Sequence, residues 1–405
     1  LQILHRFFFT FSFFKSLSFE TIPTLKPAKS NLFFLYIPGI SAVSPPINLT
    51  STFAQDGIGK NKGFDYSRGT NPTRERLEKN IASLEGGYDA IAFSSGMAAT
   101  TALFQSLKQG DHVIISRNVY GGTYRMTTQI LSNHGLKFDF VDTTNIQNIK
   151  DAIKPETKWV FIETPTNPML EITDIKAVSQ ICQDHNIKFA VDNTFMSPYG
   201  QRPLEYGADC VMHSSTKFIG GHSDVLGGIL VAKDKELAER LHFIQKSGGA
   251  IPSPFDAWLL LRSVKTLSMR VQKASDNAMV IAKYFDNHSK ISKTIYPGLD
   301  SHPEHSVAQS QQINSHGDII YGSMVSVVFN SKNEMDNFIS RINLFTLAES
   351  LGGVESLMSV PYFMTHADVP EEVKAEMNLV PELLRLAVGI EHIDDLIADI
   401  DHALS

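Results

Sequence analysis

Short apolar runs alternate along the chain with longer stretches in which apolar residues recur at helical spacing. The short runs are rich in β-forming residues, and we predict strands at residues 90–93, 113–115, 138–141, 159–162, 187–191, 210–212 and 228–231. Helical patterns, such as residues 174–184, lie between several of these strands. Strands and helices that alternate in this way predict an α/β protein with a mostly parallel sheet, covered by helices on both faces.

The first helices of this pattern carry boundary signals in the sequence. Asn71 is suited to cap a helix whose first position is Pro72, and two glycines at 86–87 are suited to end it. Apolar residues at 77, 81 and 84 then form its buried stripe. A second helix is expected to follow the turn at Gly96 and to reach Gly110.

The C-terminal third of the chain has a different pattern. A helical stretch at 255–287 is expected to join two domains. Strands are predicted beyond it at 324–329 and 383–388, and helices at 335–342 and 393–404, which indicates a smaller α+β domain. We therefore predict an N-terminal extension at 1–44, an extended arm at 45–70, a large domain at 71–265 and a small domain at 266–405.

The first 44 residues do not fit this organisation. The chain begins with Leu1, and residues 7–14 are strongly aromatic between Arg6 and Lys15. This apolar segment is too short to cross a membrane as a helix. We interpret the extension as a fragment or a mistranslated upstream region, with a targeting segment as the alternative.

Composition excludes several classes of function. The chain has 405 residues, is 42% hydrophobic and carries a formal charge of −7, which argues against nucleic acid as a partner. Its two cysteines, Cys182 and Cys210, lie in apolar runs and indicate a reducing compartment, so a cytoplasmic location is expected. The fourteen histidines are scattered, and His302 and His305 are interpreted as loop residues, so no metal site is predicted.

Two residues at predicted strand ends suggest a cofactor. Lys217 follows the strand at 210–212, in a segment rich in hydroxyl groups and glycine. Burial there would lower the pKa of the amine and allow it to attack a carbonyl. Asp192 follows the strand at 187–191. A lysine that bonds to the cofactor aldehyde and a carboxylate that keeps the ring nitrogen protonated are what pyridoxal 5′-phosphate (PLP) requires.

A third feature is suited to the phosphate of this cofactor. A strand, a glycine turn and a helix start follow one another at residues 90–99. The backbone N–H groups of Gly96 and Met97 would be exposed at this helix start, where anions bind.

These motifs resemble the Cys/Met-metabolism family of fold-type I PLP enzymes. The resemblance runs from about Pro45 to the C-terminus. It is carried by YSRGTNPT at 66–73, SSGMAA at 94–99, VYGGT at 119–123, VDNT at 191–194 and TK at 216–217.

The resemblance implies a set of cofactor contacts. Tyr66 and Arg68 would cross to the neighbouring subunit and contact its cofactor phosphate, which a guanidinium suits. Ser214 and Thr216 would hold the phosphate within the same chain. Tyr120 would stack on the pyridine ring and move protons. Lys217 and Asp192 keep the roles given above, and Asn167 would bond the ring oxygen or the substrate carboxylate.

The resemblance also implies the substrate contacts. Arg385 interrupts an apolar predicted strand, where a charge is disfavoured unless it is paired. It would bind the α-carboxylate of an amino acid, with help from Ser350. Glu349 would lie at the substrate entrance.

The resemblance implies a homotetramer, or at least a dimer, that acts at the γ-carbon of an amino acid. The expected activity is that of a cystathionine γ-lyase, which the runs at 251–254, 296–299 and 301–303 favour. A cystathionine γ-synthase is the main alternative, and an inactive binding protein is another. Gly122 and Glu349 argue against methionine γ-lyase. That branch of the family resembles YGCT where this chain has Gly122, and it carries an apolar residue in place of Glu349.

Overall fold

The computed structural model describes residues 43–367 and 369–405. The N-terminal extension predicted at 1–44 therefore lies almost entirely outside the described residues. The helices are α1 (Pro72–Glu85), α2 (Gly96–Phe104), α3 (Gly121–Arg125), α4 (Ile146–Ala152), α5 (Ile175–Asp184), α6 (Ser197–Gly200), α7 (Lys235–Gly248), α8 (Pro254–Val264), α9 (Leu267–Asp286), α10 (His305–Gln311), α11 (Lys332–Arg341), α12 (Glu371–Glu376) and α13 (Ile393–Leu404). A π-helix at Met126–Ile130 and 3₁₀-helices at Leu131–His134 and Pro203–Tyr206 complete them.

A seven-stranded sheet forms the centre of the first part of the chain. Its strands are β1 (Asp89–Phe93), β2 (His112–Ser116), β3 (Lys137–Val141), β4 (Thr157–Glu163), β5 (Lys188–Asp192), β6 (Cys210–His213) and β7 (Gly228–Ala232). They lie in the order β1-β7-β6-β5-β4-β2-β3, and only β7 runs antiparallel to its neighbours. The predicted mostly parallel sheet is confirmed.

A second sheet of five strands follows. Its strands are β8 (Ile291–Ile295), β9 (Met324–Phe329), β10 (Thr346–Leu347), β11 (Leu357–Ser359) and β12 (Leu383–Ala387). They lie in the order β10-β11-β12-β9-β8, and all pairs except β10–β11 are antiparallel. This is the predicted α+β part, whose boundary with the large domain at 265–266 stays a prediction.

The strands of the first sheet are apolar throughout because both of their faces are covered. In β5, Phe189 and Val191 pack into the hydrophobic cluster on one side. Ala190 lies between them in sequence and packs into the cluster on the other side. The strand ends are then the places where polar side chains can collect.

Helix α1 begins and ends where its sequence predicts. The Asn71 side chain accepts a hydrogen bond from the Thr73 backbone N–H at 2.9 Å. Gly86 ends the helix in the left-handed conformation, with φ of 75°, which a glycine adopts without strain. Leu77 and Ile81 are fully buried.

Two predicted helices are shorter than expected. The helix after Gly96 ends at Phe104 instead of Gly110. Beyond Phe104 the backbone forms 3₁₀-type hydrogen bonds, such as Leu107 N–H to Phe104 O, which tighten the chain. The stretch at 255–287 is two helices, α8 and α9, and not one. Arg270 of α9 donates to the Ser263 carbonyl at 3.0 Å and to Thr266 Oγ1 at 3.1 Å, which stabilises the break.

The arm at residues 45–70 contains no helix and no strand of the sheets, and it is attached to the main body. Thr52 and Tyr66 form an isolated antiparallel bridge between its two halves. The indole Nε1–H of Trp258, on α8, donates to the Pro45 carbonyl at 3.0 Å. No helix of the described residues is long and apolar enough to cross a membrane.

Candidate active site

A cavity of about 370 Å³ lies at the carboxyl ends of the central strands, between the two sheets. Ligands of parallel α/β sheets bind at this edge. All the predicted site residues except Tyr66 and Arg68 line it. They are Gly96, Met97, Tyr120, Asn167, Asp192, Ser214, Thr216, Lys217, Glu349, Ser350 and Arg385.

Lys217 lies in the turn that follows β6. The turn is closed by backbone bonds from Lys217 N–H to Ser214 O at 3.1 Å and from Gly221 N–H to Lys217 O at 2.7 Å. Burial and then the charge of Arg385 lower the pKa of the Lys217 amine, against the charge of Glu349, and together bring it from 10.5 to about 8. Its Nζ donates to Ser350 Oγ at 2.8 Å. A neutral fraction of the amine therefore exists near neutral pH, as a nucleophile requires.

Asp192 ends β5 as a buried carboxyl group. Its Oδ1 accepts hydrogen bonds from the backbone N–H and the hydroxyl of Thr194. Among the described residues, no hydrogen bond reaches its Oδ2 and no ion pair compensates it. Burial raises the pKa of the carboxyl group. The second oxygen of this carboxyl group is thus available to accept a hydrogen bond from a protonated ring nitrogen.

The start of α2 forms a cradle on the floor of the cavity. Ser95 Oγ accepts from the Ala98 N–H at 3.1 Å, which leaves the first N–H groups of the helix open. A Cβ atom at Gly96 would lie 2.9 Å from Ser214 Cβ, so only glycine permits this close approach. The hydroxyl-bearing residues Ser214 and Thr216 line the same part of the cavity. These groups fit a phosphate.

Arg385 occupies the middle of β12 and is 2% exposed. Its Nη1 donates to Asn167 Oδ1 at 2.9 Å, and its Nη2 donates to the Ser350 carbonyl at 2.8 Å. Its Nε is buried without a hydrogen-bond partner in the described part of the chain. Burial lowers the pKa of the guanidinium to about 10, against the charge of Glu349. A buried cation that lines a cavity and lacks a carboxylate partner within residues 43–367 and 369–405 is suited to an acidic ligand.

Ser350 connects Lys217 and Arg385. Its φ is 95°, a left-handed conformation that is strained for a residue with a Cβ atom. The surrounding contacts hold it there, because its hydroxyl accepts from Lys217 and its carbonyl accepts from Arg385. The polar contacts of the site thus link the turn after β6 to the second sheet.

Sequence reasoning missed Glu163, which also lines the cavity. Glu163 ends β4 and pairs in register with Asp192 at the end of β5. The predicted strand stopped at residue 162, so this acid was not recognised as the equivalent of Asp192 on the neighbouring strand. Thr365 and Leu226 line the cavity as well, and no local signal in the sequence distinguishes them.

Tyr66 and Arg68 do not line the cavity of their own chain. Arg68 Nη1 donates to the Lys246 carbonyl at 2.7 Å, and its guanidinium lies 5.6 Å from the centre of the Tyr66 ring. Tyr66 is 48% exposed. Their expected contact with the neighbouring subunit stays a prediction.

The family model described as Cys/Met metabolism PLP-dependent enzyme matches residues 37–405. The chain belongs to this family. Its fold is that of fold-type I PLP-dependent enzymes, its cofactor is PLP, and the family to which it belongs performs carbon–sulfur lyase and synthase chemistry on amino acids.

Relatives with two different activities are equally similar to the chain. It is 46% identical over 363 residues to the cystathionine beta-lyase of Lactococcus lactis subsp. cremoris (strain MG1363) and to the cystathionine gamma-lyase of Bacillus subtilis (strain 168). Both alignments cover 90% of this chain and 94% of the relative. A β-lyase was not among the activities expected from the sequence.

A solved structure of a third activity is similar as well. The cystathionine gamma synthase from Xanthomonas oryzae pv. oryzae in complex with cystathionine has a TM-score of 0.88 and 39% identity, over 91% of this chain and 94% of that one. The names of all three relatives thus contain the same compound, cystathionine.

Proposed function

We propose that this protein is a cystathionine γ-lyase, which converts cystathionine and water to cysteine, 2-oxobutanoate and ammonia. The observation that carries the proposal is that Glu349 shares one cavity with Lys217 and Arg385. Cystathionine has an amino-acid group at each end. A cation for one carboxylate and an anion for the distant ammonium therefore suit a substrate that spans the cavity.

In this proposal Arg385 binds the α-carboxylate of the substrate through its unpartnered edge, and Asn167 and Ser350 hold the guanidinium in place. Lys217 Nζ removes the proton from Cα, which its lowered pKa permits near neutral pH. PLP supplies the electron sink for this step. Asp192 Oδ2 is proposed to keep the ring nitrogen of PLP protonated.

Tyr120 is proposed to donate a proton to the departing sulfur. Its side chain is 42% exposed and lines the cavity. The N–H groups of Gly96 and Met97, together with Ser214 and Thr216, would hold the phosphate of PLP. The close approach of Gly96 to Ser214 supports this arrangement.

Analysis of the products tests the proposal directly. Purified protein loaded with PLP is incubated with cystathionine, and the oxo acids and thiols are quantified. We expect 2-oxobutanoate and cysteine in equal amounts. Pyruvate with homocysteine would instead establish a β-lyase, which the Lactococcus relative makes the second candidate. Formation of cystathionine from O-acyl-homoserine and cysteine, without cleavage, would establish a γ-synthase.

We also propose that the protein is a homotetramer in which the arm completes the neighbouring site. The position of Tyr66 and Arg68 outside the cavity of their own chain supports this. A cytoplasmic location is proposed because Cys182 and Cys210 are free and buried, as in proteins of reducing compartments. Burial raises the pKa of both thiols, Cys182 to about 12, so neither is reactive.

A further inference from the structure

Glu163 is a buried carboxyl group for which the proposed mechanism has no use. It is 5% exposed and lies beside Asp192 at the carboxyl edge of the sheet. No ion pair compensates either acid among the described residues. Burial, and then the charge of Asp192, raises the pKa of Glu163 well above its usual range. Two acids so close together in a buried site are unfavourable unless they make strong hydrogen bonds.

The hydrogen bonds of Glu163 reach two loops of the cavity. Its Oε2 accepts the backbone N–H of Tyr120 at 2.8 Å, and its Oε1 accepts the backbone N–H of Asn167 at 3.0 Å. Tyr120 precedes α3, after β2, whereas Asn167 lies in the turn after β4. A carboxyl group places an oxygen at both positions in one plane, whereas a glutamine amide places an oxygen at one position and an NH₂ group at the other. The two N–H donors lower the pKa of Glu163, against the effect of burial.

The two loops bear different parts of the proposed chemistry. Asn167 Oδ1 accepts from Arg385, whereas Tyr120 brings the proposed proton donor to the cavity. We infer that Glu163 is a positioning residue whose carboxyl group fixes the main chain of Tyr120 relative to Asn167, and so aligns the proton donor with the carboxylate-binding arginine. The inference rests on the proposed function only for the role of the Tyr120 hydroxyl.

The structure indicates which bond a glutamine would lose. The turn around Asn167 is closed independently, by Leu170 N–H to Thr166 O at 2.9 Å and Glu171 N–H to Thr166 Oγ1 at 3.0 Å. Tyr120 instead precedes the five-residue helix α3, and its side chain is partly exposed. In Glu163→Gln, the single amide oxygen is therefore expected to keep Asn167, and the Tyr120 N–H would face an NH₂ group.

Hydrogen exchange tests the positioning without reference to activity. In Glu163→Gln loaded with PLP, amides in segment 117–125 should exchange about tenfold faster than in wild type. Glu391→Gln is the matched control. Glu391 also accepts a backbone N–H, that of Ser356 at 2.6 Å, but it does not line the cavity, and its substitution should leave segment 117–125 unchanged. Equal exchange rates in wild type and Glu163→Gln would overturn the inference.

A double-mutant cycle tests the consequence for the reaction. With the substrate that wild type turns over fastest, Glu163→Gln should lower kcat ten- to a hundredfold and change KM less than about threefold. In a Tyr120→Phe background, the same substitution should cost less than about threefold, because the proton donor is already absent. Equal losses in both backgrounds would show a general structural role and overturn the inference.

The variant Glu163→Asp provides a second measurement. It keeps the carboxyl group but shortens the side chain by one methylene group, so it cannot reach both loops. Like Glu163→Gln, it should accelerate hydrogen exchange in segment 117–125. If Glu163→Gln does not fold, Glu163→Asp takes its place in all the experiments above. Wild-type exchange in Glu163→Asp would overturn the inference. The PLP content of all variants should stay near one per chain, since the proposed phosphate contacts are untouched.

Discussion

The amine of Lys217 offers a quantitative prediction for the protein without PLP. A pKa of about 8, against an ordinary value of 10.5, corresponds to a cost of about 3 kcal/mol for the charged form. At pH 7 about 9% of such an amine is neutral, compared with about 0.03% of an ordinary lysine. Lys217 should therefore be roughly three-hundredfold richer in the nucleophilic form than its ordinary value would make it.

The shape of the pH profile measures this pKa. Cofactor-free protein is acetylated briefly at a series of pH values, and modification of Lys217 is quantified by peptide mass spectrometry. Exposed Lys62 in the same sample is the internal reference, because its side chain is 78% exposed. The rate at Lys217 should rise about fivefold from pH 7 to 8 and less than twofold from pH 8 to 9. A rate that rises tenfold in each interval would refute the lowered pKa.

Two substitutions identify the charges that contribute to the shift. The Arg385 charge lowers the pKa of Lys217, so Arg385→Gln should move the midpoint to higher pH. The Glu349 charge raises it, so Glu349→Gln should move the midpoint to lower pH. Both side chains line the cavity, and the two variants bracket wild type. Shifts in the same direction would contradict an electrostatic origin.

Three further predictions concern other parts of the chain. If the arm completes the neighbouring site, mixing Arg68→Ala with Lys217→Ala protein should restore activity at about a quarter of the sites. No recovery after verified subunit exchange would show that the arm acts on the site of its own chain. Glu349→Val should lower kcat/KM for cystathionine ten- to a hundredfold, or about 1.4–2.7 kcal/mol, and spare homocysteine; equal losses on both substrates would assign Glu349 to the loop fold. Burial lowers the pKa of His302 to about 4. The neutral imidazole therefore contributes its full share of the unfolding free energy above pH 6.5, and this contribution is lost as the pH falls towards 4. Between pH 7 and pH 5, His302→Gln should therefore lose about 2 kcal/mol less of its unfolding free energy than wild type, as measured by urea denaturation.

The sequence predicts those site residues whose chemistry conflicts with their surroundings. Lys217 stands out because a charged residue follows a buried strand, and Arg385 because it interrupts one. Both are buried or nearly so in the structure and line one cavity. Strand periodicity also places Asp192 at the edge where the cavity forms. Local pattern is sufficient in these cases because the position of a strand end determines which edge of the sheet the residue occupies.

The features that sequence reasoning missed depend on contacts between distant segments. The role of Glu163 follows from pairing in register with Asp192 and from a loop 43 residues away. The break between α8 and α9 depends on the Arg270 side chain, which also donates to the Phe218 carbonyl at 2.7 Å, beside Lys217. Helical periodicity is similar on both sides of that break, so the local pattern alone cannot locate it.

The hydrogen bond between Trp258 and Pro45 gives the protein an intrinsic optical reporter. The chain contains two tryptophans, and the other, Trp159, is 2% exposed within β4. The emission colour of an indole follows the polarity around it, so Trp159 supplies a constant blue signal from the core. Release of the arm would transfer the Trp258 N–H from a peptide carbonyl to water and shift its emission to the red. Attachment of the arm can thus be followed in real time in the unlabelled protein.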